Sequence, residues 1–138
     1  MKVLISSILL LLFAAKGCND RSITPETMDG VYTLASFESK SMTDQDLSLT
    51  INSENKTLGG SVGCNSFTSD YTLDGNQVSF SAPLSTKMYC PETSKREREF
   101  FDMLTTVTRV EAEEDQLKFF NAQEETCFTL QKKQSSEN

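Results

Sequence analysis

Two stretches constrain the fold more than any other part of the chain. One is Gly59-Gly60-Ser61-Val62-Gly63-Cys64-Asn65-Ser66-Phe67-Thr68-Ser69-Asp70-Tyr71, the other its sequel Ser85-Thr86-Lys87-Met88-Tyr89-Cys90. Glycine takes positive φ without strain and lets another backbone come close, so a Gly-Gly-x-x-Gly run among β-formers reads as a bent or bulged strand corner. Asn65 tolerates the same left-handed conformations and can close an Asx turn on its own backbone. Cys64 sits on this corner and Cys90 directly precedes Pro91. Both are thus at chain reversals, where backbones can reach the ~6 Å Cα separation of a disulfide. A Cys64–Cys90 bridge is expected, stabilising the fold by about 3–4 kcal/mol in the chain-entropy model. Cys127 alternates with Phe128 and Leu130 and is expected to remain a free thiol. The other reading is two buried thiols that pack as small apolar residues.

Residues 1–17 read as a lipoprotein signal peptide. Lys2 supplies the positive end, Val3 to Ala15 form an apolar run broken only by Ser6 and Ser7, and Ala15-Lys16-Gly17 precedes Cys18. The run is too short to span a bilayer and suits a signal-peptide core. A cysteine in this place resembles a bacterial lipobox, which makes Cys18 the expected lipidation site. Ala15 departs from the usual Leu there, and Lys16 is an unusual neighbour to the cut. Ordinary secretion with Cys18 as a plain thiol is the alternative. Either way the domain folds outside the cytosol, where disulfides persist. The expected location is the bacterial cell envelope, membrane-anchored and facing the periplasm or the cell surface.

Residues 18–27 are polar, contain Pro25, and read as a tether. A single domain is expected over 28–132, and 133–138 reads as a disordered tail. Strand signals fall at Val31–Phe37, Leu47–Ile51, Thr57–Val62, Phe67–Leu73 and Gln77–Ser81. Leu47-Ser48-Leu49-Thr50-Ile51 alternates strictly, and Asp74-Gly75-Asn76 is a strong hairpin turn. Ser53-Glu54-Asn55-Lys56 makes another turn, and its overlap with a glycosylation sequon is read as incidental. A helix then follows. Ser94-x-x-Glu97 has the form of a capping box, and Phe100, Phe101, Leu104 and Val107 recur on one face. The charged run Ser94–Glu99 reads as its solvated side, with Lys95–Glu99 and Arg98–Asp102 pairs. Strands resume at Thr106–Ala112, Leu117–Phe119 and Thr126–Gln131, with an acidic turn at Glu113-Glu114-Asp115.

Eight strands with one helix between the fifth and sixth suit a mainly β, antiparallel barrel, because closure removes exposed edges. Such a barrel is either filled by side chains or holds one small ligand. Tyr32, Leu34, Leu47, Leu49, Ile51, Val62, Tyr71, Leu73, Val78, Phe80, Leu117, Phe119, Phe128 and Leu130 are expected inside, with the helix as a plug, and fill it. A cavity lined by Tyr32, Phe80 and Phe119 would instead mark a carrier of an apolar ligand. A rigid loop at Ser39–Asp46 inserted into a partner would mark an inhibitor of a secreted hydrolase.

Chemistry is constrained by what is missing. The chain has no His, which removes Ser-His and Cys-His nucleophilic pairs and the commonest metal ligand. Cys64, Cys90 and Cys127 lack the spacing of a zinc site, and the acidic cluster Glu111–Asp115 lacks the spaced loop of a calcium site. No Lys-Ser/Thr follows the glycines, so they are no phosphate loop. Net charge is −7; without Lys2 and Lys16 the mature chain has 11 bases against 20 acids, or −9. That balance argues against nucleic acid as a partner and against charge-driven binding to an anionic membrane surface. No enzyme activity and no cofactor or metal is expected.

The residues Tyr32-x-Leu34, Gly60-x-x-Gly63-Cys64-Asn65-x-Phe67-x-x-x-Tyr71, Thr86-x-Met88-x-Cys90, Glu97-x-x-Phe100 and Leu117-x-Phe119 stand in an order similar to that of the META-domain family. HslJ-like heat-shock lipoproteins are among its members. The resemblance covers about residues 28–132, with Tyr32 where the family usually has Trp. It implies a lipocalin-like barrel, an envelope location and a link to heat and antibiotic tolerance, and it carries over no catalytic residue. The expectation is a monomeric, non-catalytic envelope protein held to the membrane through its N-terminal lipid, with an envelope protein as a possible partner.

Overall fold

The computed structural model describes residues 22–134. In chain order it contains α1 (Pro25–Met28), β1 (Gly30–Phe37), β2 (Lys40–Ser41), β3 (Ser48–Asn52), β4 (Thr57–Ser61), β5 (Ser66–Asp74), β6 (Gln77–Phe80), β7 (Leu84–Ser85), α2 (Ser94–Leu104), β8 (Val107–Glu113), β9 (Gln116–Asn121) and β10 (Thr126–Lys132). The eight longer strands run β10-β9-β8-β6-β5-β4-β3-β1, and β1 pairs back onto β10, closing an antiparallel barrel. The short β2 and β7 attach to β1 and β5. The local causes are those of a meander. In β3 Leu49 and Ile51 face inward while Ser48 and Thr50 face water, and in β6 Val78 and Phe80 are the inward pair. Gly75 sits at φ +60° in the β5–β6 turn, where a side chain would be strained.

Where the structure departs from strict alternation, long-range register explains it. The pairing of β1 with β10 shifts between Leu34 and Ser36, so Leu34 faces Leu130 and Phe37 faces Phe128. That bulge brings Phe37 into the core, although alternation from Val31 puts it on the outer face. Val107 belongs to β8 and not to the helix, which ends at Leu104. Leu47 and Leu73 are only partly buried, whereas Leu58, Phe67 and Val110 join the interior.

Each end of the barrel is closed by a different device. At one end α2 lays Phe100 against Phe37, Phe67 and Phe128, with ring centroids 5.4–5.7 Å apart. At the other, the segment expected as a tether folds in. Ile23 and Met28 are buried, and the Tyr32 hydroxyl donates to the Met28 carbonyl at 2.7 Å. Thr24 and Thr27 cap α1 reciprocally, and the Ser53 amide donates to Asp29 at 2.7 Å. The stretch expected as a tether over 18–27 is therefore part of the folded domain from Ile23 onward. At the other terminus the Lys133 amide donates to Val31, so the ordered chain runs past the expected boundary at 132.

Candidate functional site

The strongest candidate is where the motif residues converge, between the β4–β5 corner, the loop 81–93 and the start of α2. Of its glycines only Gly60 has a positive φ, +142°, and a side chain there would collide with the Ser48 carbonyl. Gly63 is needed for another reason: a Cβ would lie 2.6 Å from a Glu97 carboxylate oxygen. Asn65 does not adopt a left-handed conformation and does not close an Asx turn. Its side chain reaches across the corner instead.

Asn65 and Glu97 form one buried network. The Asn65 Oδ1 accepts from the Thr86 hydroxyl and the Met88 amide, each at 2.8 Å. Its Nδ2 donates to Glu97 Oε2 at 2.8 Å and to the Met88 carbonyl at 3.2 Å. Glu97 Oε1 accepts from the Cys64 amide, from the Asn65 amide at 2.8 Å and from the Thr93 hydroxyl at 3.5 Å. Burial pushes the Glu97 carboxyl up, but hydrogen bonds from the Asn65 side chain, the Asn65 and Cys64 amides and Thr93 outweigh it and hold the group below its ordinary value of 4.5. The Cys64–Cys90 disulfide closes the same junction, with Cα atoms 6.2 Å apart.

This geometry corrects the reading of the helix start. Thr93 is the N-cap residue, Ser94 lies one position inside, and no side chain caps the helix. Ser94 reaches only the Pro91 carbonyl, at 3.5 Å. Glu97 cannot serve a capping box because its carboxylate is committed to the corner, 32 and 33 residues away. The charged run is consequently not all solvated. Glu97 is buried, and Arg96 donates to the Val62 carbonyl at 2.6 Å and to Gln45 at 2.9 Å. Lys95 does pair with Glu99, while Arg98 forms no ion pair with Asp102 among the described residues.

The remaining motif residues are structural neighbours of this junction or of the core. Phe67 pairs across to Ser85 and packs on Phe100 and Phe101. Tyr71 is buried, and its hydroxyl has no hydrogen-bond partner among the described residues. Met88 has its backbone gripped by Asn65 but leaves its side chain 58% exposed. Cys127 is a free, buried thiol whose pKa is raised by burial, which disfavours the nucleophilic thiolate. It lies in an open cleft of about 700 Å³ with Glu38, Glu99, Asp102, Met103 and Glu125. Cys18 lies outside the described residues.

The arrangement is suited to holding chain segments together. Both carboxylate oxygens of Glu97 and both polar atoms of the Asn65 side chain are occupied by internal partners, so neither offers a free acid, base or ligand. Sequence reasoning singled out both residues but missed their pairing. The only local signal was the glycine at 63, whose missing side chain makes room for the carboxylate.

Solved structures share the fold. A protein solved by NMR matches with TM-score 0.62 at 23% identity, covering 79% of this chain and 94% of its own. A protein from Burkholderia xenovorans, also solved by NMR, matches with TM-score 0.62 at 19% identity, covering 79% and 86%. A DUF4847-family protein from Bacteroides vulgatus matches with TM-score 0.58 at 13% identity, covering 79% and 96%. No curated protein matches the chain. The META domain family model matches residues 24–134, which span the barrel, Met28 at one end, α2 at the other and the Asn65–Glu97 junction, and the chain therefore belongs to the META-domain family.

Proposed function

We propose that this is a non-catalytic, HslJ-like envelope lipoprotein, anchored through Cys18, that contributes to heat or antibiotic tolerance by contacting other envelope components. The observation that carries the non-catalytic part is the closed hydrogen-bond network of Asn65 and Glu97, which uses the motif's polar groups to build the fold. The disulfide suits an oxidising compartment. Ile23 is buried at one end of the barrel and follows Cys18 by only a few residues, so an anchor at Cys18 leaves the α2 end turned away from the membrane.

Membrane fractionation and complementation test this reading. Wild-type protein is expected in the membrane fraction and Cys18→Ala in the soluble one, and a deletion strain is expected to lose heat or antibiotic tolerance until the wild-type gene is restored. A soluble wild type of unlipidated mass overturns the anchor. Unchanged tolerance in the deletion strain overturns the stress role.

A second reading, a binding protein, has its own support. The residues that would line a ligand cavity pack on other side chains: Phe119 stacks on Phe128 at 4.4 Å, and Phe80 lies 5.7 Å from Phe119. This favours protein binding over carriage of an apolar ligand. Ser39–Asp46 is folded down by β2, by the Met42 amide on Ala35 and by Gln45 on Arg96. The more exposed apolar loop is Leu84–Tyr89.

A further inference from the structure

Among the described residues, three of the four large apolar side chains that stand exposed lie on one short loop: Leu84 at 81%, Met88 at 58% and Tyr89 at 87%. Free-standing apolar groups on a flexible loop would be unremarkable, but this loop is held at several points. Leu84–Ser85 pairs with β5, and the Thr86 amide donates to the Ser66 carbonyl at 3.0 Å. Asn65 grips both the amide and the carbonyl of Met88. One residue beyond Tyr89, Cys90 is bonded covalently to Cys64. From Thr86 to Cys90 the chain forms no helix or strand of its own. Among the described residues, neither the Tyr89 carbonyl nor the Cys90 amide takes part in a hydrogen bond.

We propose that Thr86–Cys90 is a substrate-like inhibitory loop, with Tyr89 the side chain inserted into the specificity pocket of a secreted endopeptidase that cleaves after aromatic residues. The inference rests on the protein-binding reading above and names its partner class. A peptidase needs an accessible segment whose scissile carbonyl and following amide are free, and the Tyr89–Cys90 bond meets that need. Met88 cannot take Tyr89's place, because its own carbonyl and amide are committed to Asn65. Preorganisation then separates an inhibitor from a substrate: a loop already fixed loses little entropy on binding. Hydrolysis of the Tyr89–Cys90 bond would consume one water and yield a Tyr89 carboxylate and a Cys90 amine. Both new ends would stay in place, the first through the Asn65–Met88 hydrogen bonds and the second through the disulfide.

The test uses the oxidised full-length protein with chymotrypsin as probe, reading hydrolysis of a small chromogenic peptide. Competitive inhibition is expected, weakened at least about a hundredfold by Tyr89→Ala, as for a central anchor residue. Tyr89→Arg is expected to transfer inhibition to trypsin, a gain that a merely structural role would not produce. Tyr89 is exposed, so both variants keep the fold. Reduction and alkylation are expected to abolish inhibition and to allow cleavage after Tyr89. The proposal is overturned by absence of inhibition, by inhibition indifferent to Tyr89→Ala, or by cleavage of the oxidised loop as fast as the reduced one. None of these outcomes bears on the anchor or the stress role, which fractionation and complementation decide separately.

Discussion

The two ends of the barrel perform the same task by different physics. The α2 end, where Phe100 packs on the barrel's aromatic side chains, is locked by a buried carboxylate, an asparagine and a disulfide that tie together the corner, the loop and the helix. The opposite end is closed by Ile23 and Met28, with one hydrogen bond from Tyr32. A polar closure is directional and fails sharply when one partner is lost, because the others are left buried and unpaired. An apolar closure is graded by contact area and by how well the site collapses. The polar end therefore carries the recognisable motif, whereas the apolar end reads in sequence like a polar tether.

The largest effect expected from breaking this contrast is at Glu97. Glu97→Ala leaves two buried donors of Asn65 and the half-buried Cys64 amide without an acceptor and should cost about 4 kcal/mol by denaturant unfolding. Its pH dependence follows from the depressed pKa. The stabilisation is present above the ordinary value of 4.5 and is lost as pH falls through the lower folded value. Glu97→Gln should remove that acid-side loss while still destabilising, since its amide would face the Asn65 amide. A wild type whose stability stays level through this acid range would break the polar half of the comparison.

Met28→Ala tests the apolar end and should cost about 3 kcal/mol, a transfer and cavity penalty that does not vary with pH. If its cost is negligible, the N-terminal segment does not close the barrel. Two tyrosines sharpen the contrast further. Tyr32→Phe gives up the bond to Met28 and should cost about 1 kcal/mol. Tyr71→Phe removes a buried hydroxyl that has no partner among the described residues and should be neutral or slightly stabilising. Equal losses for the two would mean that Tyr71 is hydrogen-bonded after all. A similarly small effect is expected at Ser94→Ala, within about 0.5 kcal/mol, because its hydroxyl does not cap α2. A loss near ~1 kcal/mol, the usual value for an N-cap, would restore the capping box.

Most strands were legible because their causes are local. Period-two alternation marks Leu49 and Ile51, the Asp74-Gly75-Asn76 turn marks a hairpin, and the helical spacing of Phe100 and Leu104 marks a buried face. The Cys64–Cys90 pair was legible too, since both cysteines fall at chain reversals. Glu97 shows where such reading stops. Its spacing from Ser94 satisfies a local capping rule, yet its carboxylate is drawn to amides 32 and 33 residues back, where several donors converge in a buried site.

By itself the sequence determined the eight-stranded pattern, the single amphipathic helix and the hairpin turns, which follow from residues near one another in the chain, and the cysteine pair, which follows from the local chain reversal at each cysteine. Tertiary structure alone decided that Phe37 turns inward, that Ile23 and Met28 close one end, and that Asn65 and Glu97 join at the other. Those outcomes depend on register against a strand about ninety residues away and on which buried donors lack an acceptor once the barrel has closed. No periodicity records either quantity, because both exist only when distant segments meet.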